Sequence, residues 1–267
     1  MDYNPIIVPL DVPTRDEALA LTEKLAGSVG AFKIGKELFV SEGPSIVREI
    51  RATGANIFLD LKFHDIPNTV AGAVRAATRL DVQMVTIHTC GGTDMMVAAE
   101  IAAQQEATAQ GQQPPLVLGV TVLTSMDAED INEVGTNGEV APQVKRLAKL
   151  AATSGLRGLV CSPLEIEMLR AVLPPEVKLV TPGIRPATSD TQDQKRVMTP
   201  AQAMTAGADW LGIGRDFPRI RSYAFVVSKI LNIMISLNLI NLLINRARTR
   251  AALGTPFSKR TPSPSRR

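Results

Sequence analysis

Eight short apolar segments alternate along this chain with longer segments of helical spacing. The apolar segments are residues 6–11, 31–35, 56–62, 84–88, 116–124, 158–162, 178–183 and 210–214. The clearest helical segments are TRDEALALTEKLAG with Thr14 as an N-cap, APQVKRLAKLAATSG ending at Gly155, and TPAQAMTAGA with Pro200 near its start. Because eight strands alternating with helices can close on themselves, the pattern predicts an α/β fold, a parallel (β/α)8 TIM barrel.

An open, doubly wound parallel sheet is the alternative arrangement of alternating strands and helices. It does not require eight strands, and no G-x-G-x-x-G motif follows the first apolar segment. The chain has 267 residues and is 45% hydrophobic. This length suits one barrel, which commonly takes about 250 residues, so we expect a single domain.

The cysteines and the N-terminal sequence bear on the cellular compartment. Cys90 and Cys161 have neither the number nor the spacing of a disulfide framework or a zinc site. The first residues, MDYNPIIVPLD, lack the basic and apolar regions of a signal sequence. We therefore expect a reduced, cytoplasmic protein.

The net charge of +3 comes from one end of the chain. Residues 246–267 contain seven Lys or Arg and no Asp or Glu, so the remainder carries 22 basic and 26 acidic side chains. A nucleic-acid-binding protein would instead spread positive charge over a folded face or groove. The sequence therefore does not favour nucleic acid as a partner.

Polar and glycine residues occur at or just beyond the C-terminal ends of the predicted strands. They are Asp11, Lys33, Asp60, Lys62, His88, Thr124, Ser162, Gly183 and Gly214. Barrel enzymes build their active sites on this face, and stability alone would not place charges there. The pattern predicts an active site at the C-terminal mouth of the barrel.

The third predicted strand carries charges within the sequence FLDLKFHDIPNTV, residues 58–70. Alternate side chains of a strand point the same way, so Asp60 and Lys62 are expected to project together into the barrel mouth. Lys33 leaves the neighbouring strand, and Asp65 follows Lys62 by three residues. Flanking carboxylates favour the charged form of Lys62, which is therefore expected to be an ammonium acid and not an amine nucleophile.

Several linked motifs resemble the orotidine 5'-phosphate decarboxylase family over residues 6–215. They are LD at 10–11, KIGKELF at 33–39, FLDLKFHDIPNTV at 58–70, HTCGG at 88–92, VTVLTSM at 120–126, VCS at 160–162, VTPGIRP at 180–186, DQKRVMTP at 193–200 and IGR at 213–215. The resemblance implies a TIM-barrel enzyme that converts orotidine 5'-phosphate to UMP and CO2, the last step of de novo pyrimidine nucleotide synthesis. It also implies that the reaction uses neither a metal nor a cofactor.

The resemblance implies a role for each matched residue. Lys62 would protonate the pyrimidine carbon that loses its carboxylate, with Asp60 beside the departing group and Lys33 holding the charge array in place. Asp65 and Thr69 would reach into the active site of the partner subunit, so the enzyme would be a homodimer. The implied substrate contacts are Asp11 and Lys33 at the ribose, Thr124 at the pyrimidine edge, and Arg185, Gln194, Gly214 and Arg215 at the phosphate.

Other reactive side chains are interpreted as structural. His64, His88 and Cys90 are close in sequence, but no further ligand spacing completes a metal site, so we expect hydrogen-bonding roles. Cys161 and Ser162 are expected to line the barrel, because no motif positions a base beside either one.

Two other functions are compatible with the sequence. One is a related phosphate-sugar barrel enzyme, such as a hexulose-phosphate synthase or a ketogulonate-phosphate decarboxylase, which the resemblance implies would need a metal and lack the setting of Thr124 and Gln194. The other is an inactive or membrane-tethered barrel in which the C-terminal residues 216–267, which do not resemble the family, have disrupted the fold or the phosphate site. Sensitivity to a chelator would identify the first, and rescue of solubility by truncation after Arg215 would identify the second.

The resemblance stops at Arg215, where Asp216 occupies the family's usual proline position. We predict a catalytic barrel over 1–215, an atypical apolar helical segment over 216–253, and a basic, disordered tail over 254–267. The altered end is compatible with three interpretations: a helix packed on the barrel, a helix in contact with a membrane, or a change of reading frame.

Residues 223–245 have about the 20-residue length of a membrane-spanning helix. They nevertheless contain Lys229 and four asparagines, so membrane contact is the interpretation we favour least. Asn238, Asn241 and Asn245 would share one helix face, which fits a replacement eighth helix or a membrane-surface helix.

Overall fold

The computed structural model describes residues 4–136, 138–184 and 198–213. Within them, eight strands pair in parallel and close into a barrel in chain order, with β1 next to β8. The strands are β1 (Ile6–Pro9), β2 (Ala31–Ile34), β3 (Ile57–Phe63), β4 (Met84–His88), β5 (Leu116–Val120), β6 (Gly158–Val160), β7 (Lys178–Ile184) and β8 (Trp210–Ile213). The predicted barrel is therefore confirmed, and the open sheet is excluded.

Helices connect the strands, as the alternating pattern predicts. Those within the described residues are α1 (Arg15–Leu25), α2 (Lys36–Glu42), α3 (Pro44–Ala52), α4 (Pro67–Thr78), α5 (Gly92–Gln110), α6 (Ala128–Glu133), α7 (Val140–Thr153), α8 (Ile166–Arg170) and α9 (Pro200–Ala206). Thr14 caps α1 as predicted, since its hydroxyl accepts a hydrogen bond from the backbone N–H of Glu17. Helix α9 begins at Pro200.

A cluster of apolar side chains fills the interior of the barrel. Six strands contribute one residue each, namely Ile7, Ala31, Phe58, Met84, Leu118 and Val180, and each of these side chains is at most 4% exposed. Ile7, Phe58 and Val180 also line the cavity at the C-terminal end of the barrel. The core of the barrel is thus also the floor of that cavity.

Three strands end at least two residues earlier than the sequence predicts. Strand β1 ends at Pro9 and not at Asp11, β5 ends at Val120 and not at Thr124, and β6 ends at Val160 and not at Ser162. The last paired residues of β4, β5 and β6 are opposite one another, so the chain beyond them has no ladder partner. Thr124 consequently lies on a loop above the barrel.

The C-terminal predictions fall outside the described residues. This applies to the segments 216–253 and 254–267 and to the possible helix at 223–245. Among the helices that the structure describes, none combines the length and the hydropathy required to cross a bilayer.

Candidate active site

A cavity of about 640 Å³ opens at the C-terminal ends of the strands. Its polar and glycine lining includes most of the strand-end residues singled out from the sequence, namely Asp11, Lys33, Asp60, Lys62, His88, Thr124 and Gly183. Ser162 is fully buried and is not part of this lining, and Gly214 is outside the described residues. The volume is within the range of about 300–1,000 Å³ that is usual for small-molecule sites.

Four of these side chains form a continuous row of alternating charge. The Lys62 Nζ atom lies 2.7 Å from Asp60 Oδ1, and the Lys33 Nζ atom lies 3.8 Å from Asp60 Oδ2. Lys33 Nζ also lies 3.2 Å from Asp11 Oδ1. The exposed fractions of the four side chains run from 13% for Asp60 to 27% for Asp11, so solvent screens their interactions less than those of surface ion pairs.

The pKa of Asp60 shows which effect dominates at the centre of the row. Burial by itself raises this pKa, but the ammonium groups of Lys62 and Lys33 and hydrogen bonds from Lys62 and Thr86 together lower it below its ordinary value. Asp60 therefore remains a carboxylate at neutral pH. The site holds a fixed negative charge between two lysines.

A bulge in β3 places Asp60 and Lys62. Pairing with β4 shifts between Leu59 and Phe63, and Lys62 has a φ of +54°, in the left-handed region that side chains other than glycine seldom adopt. Such a conformation costs about 1–2 kcal/mol. The two charged side chains meet in the cavity as predicted, but the regular alternation of a strand is not what brings them together.

Two residues that support the row were missed by the sequence reasoning. Thr86, on β4, donates a hydrogen bond to Asp60 Oδ1 at 3.0 Å and accepts one from the Lys62 backbone N–H at 2.8 Å. A Cβ atom on Gly35 would lie 3.2 Å from Lys33 Nζ, so glycine leaves room for this lysine. The sequence does offer one signal for Thr86, because it is a hydroxyl-bearing residue inside the otherwise apolar segment MVTI of β4.

Asp65 and Thr69 lie apart from the cavity of the single chain. Both residues are exposed, and neither lines the cavity. The Asp65 carboxylate accepts a hydrogen bond from the backbone N–H of Ile66, which is itself 68% exposed. Their contribution to a partner's active site stays a prediction.

His88, which lines the cavity, forms a group with His64 and Cys90, which do not line it. The rings of His64 and His88 are 5.6 Å apart, and the Cys90 Sγ atom lies 4.0 Å from each ring nitrogen of His64. Across the described ranges, no group of three or more His, Cys, Asp or Glu residues has a geometry suited to holding a metal ion.

Cys161 is a poor candidate for a nucleophile. Its side chain is fully buried, and burial raises the pKa of the thiol to about 12. The reactive thiolate is therefore scarce at neutral pH.

His88 should make the stability of the fold depend on pH. Burial, followed by the positive charges of His64, Lys62 and Lys36, lowers the pKa of His88 to about 4, against a partial opposing effect of Asp60. The unfolded chain, with a histidine pKa of about 6.5, binds this proton more tightly. His88 therefore leaves the free energy of unfolding unaffected above a pH of about 6.5 and lowers it progressively as the pH falls toward 4.

Replacing His88 with asparagine is expected to reduce the loss of stability between pH 7 and pH 5. Urea unfolding of the wild type and the variant at pH 7 and pH 5 measures the loss of unfolding free energy. Unfolding of both proteins at pH 8, where His88 is neutral in the folded and unfolded chain, corrects for any change in packing. An equal loss of unfolding free energy in the two proteins would contradict the expectation.

Four predicted phosphate-binding residues fall outside the described part of the chain. They are Arg185, Gln194, Gly214 and Arg215. Their neighbours Pro182, Gly183 and Gly212 line the cavity, so the described residues that flank them border the site.

The fold and the charge row define a class of protein, a TIM-barrel enzyme with its active site at the C-terminal face of the strands. A profile of the Orotidine 5'-phosphate decarboxylase / HUMPS family matches residues 4–218. The chain belongs to this family.

Individual relatives agree with the family assignment. Over 210 residues the chain is 53% identical to an orotidine 5'-phosphate decarboxylase from Opitutus terrae, an alignment that covers 79% of this chain and 89% of the relative. It is 47% identical over 230 residues to the enzyme of that name from Aliivibrio fischeri, covering 86% of this chain and 97% of the relative. The crystal structure of orotidine 5'-phosphate decarboxylase from Lactobacillus acidophilus superposes with a TM-score of 0.77 at 33% identity, covering 86% of this chain and 98% of that chain.

Proposed function

We propose that this enzyme decarboxylates orotidine 5'-phosphate to UMP and CO2 without a metal or cofactor. The observation that carries the proposal is the position of the Lys62 ammonium group, 2.7 Å from the Asp60 carboxylate and inside a cavity of nucleotide size. The names of the relatives support the same reaction. The proposed step is the last in the de novo synthesis of pyrimidine nucleotides.

Lys62 is the proposed proton donor. When the bond between the pyrimidine ring and its carboxylate breaks, CO2 leaves and the bonding electron pair stays on the ring carbon. Lys62 Nζ gives that carbon a proton, which completes UMP, and the resulting amine regains a proton from solvent. Without a cofactor to accept electrons, the rate depends on charges fixed in advance around the developing carbanion.

Asp60 and Lys33 hold Lys62 in a defined place. The carboxylate of Asp60 contacts the Lys62 ammonium group through Oδ1 and the Lys33 ammonium group through Oδ2, so one carboxylate restrains both lysines. In this proposal Asp60 is beside the departing carboxylate, and its negative charge favours the loss of a neighbouring negative group. Asp11 and Lys33 contact the ribose, and Thr124 contacts the pyrimidine edge.

The phosphate of the substrate is assigned to the part of the barrel mouth that follows β7 and β8. The residues proposed to bind it are Arg185, Gln194, Gly214 and Arg215. The end of β8 supports this assignment, because many TIM barrels bind phosphate in the loops after the last two strands. Binding energy from a remote phosphate can contribute to the barrier of the chemical step.

A homodimer completes the proposed active site. Asp65, just before α4, and Thr69, in its first turn, are both exposed a few residues after Lys62 and are available to a second subunit. Their exposure in the single chain supports a contribution in trans. We also propose that the catalytic domain spans residues 1–215, since the family match over 4–218 has nearly these limits.

The test of the reaction is the loss of orotidine 5'-phosphate absorbance with the purified full-length chain in EDTA. We expect turnover in EDTA equal to turnover in buffer alone, because the proposed chemistry needs no metal. Activity that EDTA abolishes and added Mg²⁺ restores would favour a metal-dependent barrel enzyme instead. A folded protein with no turnover in either condition would contradict the proposal.

A further inference from the structure

We propose that Thr86 is a positioning residue that holds Asp60 and Lys62 in their reactive arrangement. The inference rests on the proposed decarboxylation and adds to it a residue outside the predicted site. Thr86 is fully buried and does not line the cavity. It therefore acts through Asp60 and Lys62 and does not contact the substrate.

The pairing of β3 with β4 shows why a residue at this position is needed. Leu59 is paired with Val85, and the next pair is Phe63 with Ile87. Three residues of β3, 60–62, are therefore opposite one residue of β4, Thr86. The bulge interrupts the ladder at the segment that carries the two charged residues.

The Thr86 hydroxyl replaces the missing ladder partner. It accepts a hydrogen bond from the Lys62 backbone N–H at 2.8 Å, and this donor would otherwise be unpaired in a half-buried strand. An N–H can only donate, so the single hydroxyl proton is free to point at Asp60 Oδ1, 3.0 Å away. One hydroxyl thus fixes both the backbone of Lys62 and the carboxylate of Asp60.

The same carboxylate oxygen links the hydroxyl to the catalytic lysine. Asp60 Oδ1 accepts from Thr86 Oγ1 and also from Lys62 Nζ, at 2.7 Å. The Lys62 residue is therefore held at two points, at its backbone nitrogen and at its ammonium group. Removing the hydroxyl releases the first and loosens the second, but it removes none of the groups proposed to touch the substrate.

The decisive variant is Thr86→Val, which keeps the shape of the side chain and removes the hydroxyl. We expect kcat to fall about 10- to 100-fold, because small misplacements of reacting groups have effects of this size. KM should change less than about threefold, since no substrate contact is lost. Thr86→Ser, which keeps the hydroxyl, is expected to restore kcat to within about threefold of wild type.

Thr22→Val is the matched control. Thr22 is also a fully buried threonine, but its hydroxyl donates only to the carbonyl of Ala18 within α1. The Thr22→Val substitution should therefore leave kcat unchanged. An equal fall in kcat for Thr22→Val and Thr86→Val, or a wild-type kcat in Thr86→Val, would overturn the proposal. A Thr86→Ser protein with a kcat more than about tenfold below that of the wild type would also overturn it, and this comparison with the wild type stands even if Thr86→Val does not fold.

A crystal structure of Thr86→Val separates this inference from the proposed reaction. We expect Lys62 to leave the left-handed region or its ammonium group to move away from Asp60. If the wild type fails to decarboxylate orotidine 5'-phosphate, the reaction is wrong, and the crystal structure alone then tests the role of Thr86. An unchanged Lys62 in the valine variant would overturn that role.

Discussion

Replacing Lys62 with alanine is expected to lower kcat for orotidine 5'-phosphate by at least about 10³-fold, since the proton donor and a preorganised charge are lost together. The Asp60 carboxylate then keeps Lys33, 3.8 Å away, as its partner in the row. The loss of substrate absorbance, followed at saturating substrate, measures the change.

Lys149→Ala is the control for the removal of a lysine. This residue is exposed on α7, and it is outside the cavity that contains the charge row. Its kcat should equal that of the wild type, and circular dichroism should show both variants folded. A Lys62→Ala protein that retains more than about a tenth of the wild-type kcat would rule out Lys62 as the essential proton donor.

Asp65→Ala and Lys62→Ala are each expected to be nearly inactive, yet their mixed dimers should recover activity. If Asp65 serves the partner's site, a dimer of one chain of each kind contains one site with both residues intact. Half of the sites in the purified mixed dimers are then complete, as two-fold symmetry requires, which corresponds to about one quarter of all sites after random pairing of equal amounts. Co-expression of the two chains with different tags, followed by assays of the purified mixed dimers, measures the recovery.

The matched control pairs Lys62→Ala with Asp60→Ala. Both residues belong to the same chain's charge row, and their side-chain atoms are 2.7 Å apart. No mixed dimer of these two variants contains a complete site, so no activity should return. Recovery in the control, or its absence from the mixture of Asp65→Ala with Lys62→Ala, would contradict a site shared across the dimer.

Much of the fold could be predicted because its signals are local. The eight apolar segments match the strands, apart from early ends at β1, β5 and β6, and Thr14 caps α1 as its position indicates. These features depend on residues that are close to each other in the sequence. The ends of β5 and β6 were misplaced because strand length depends on the neighbouring strands, and apolar residues continue beyond the last pair.

The candidate site was predictable in its residues but not in its geometry. The positions of Asp11, Lys33, Asp60 and Lys62 at strand ends indicated a shared mouth, and all four line one cavity. Asp65 was singled out by its spacing to Lys62 and by the family resemblance, and Thr69 by the resemblance alone. Both are exposed in the single chain, and their contribution to a second subunit's site stays a prediction.

The sequence by itself determined the order of the strands, the kinds of charge at their ends and the family. Tertiary structure alone decided how those charges are held. The bulge in β3 exists only through its pairing with β4, and the hydroxyl that bridges it comes from Thr86, which is 24 residues from Lys62 along the chain. Periodicity describes neighbours in sequence, whereas burial, register and the pKa of Asp60 depend on groups that folding brings together from separate strands.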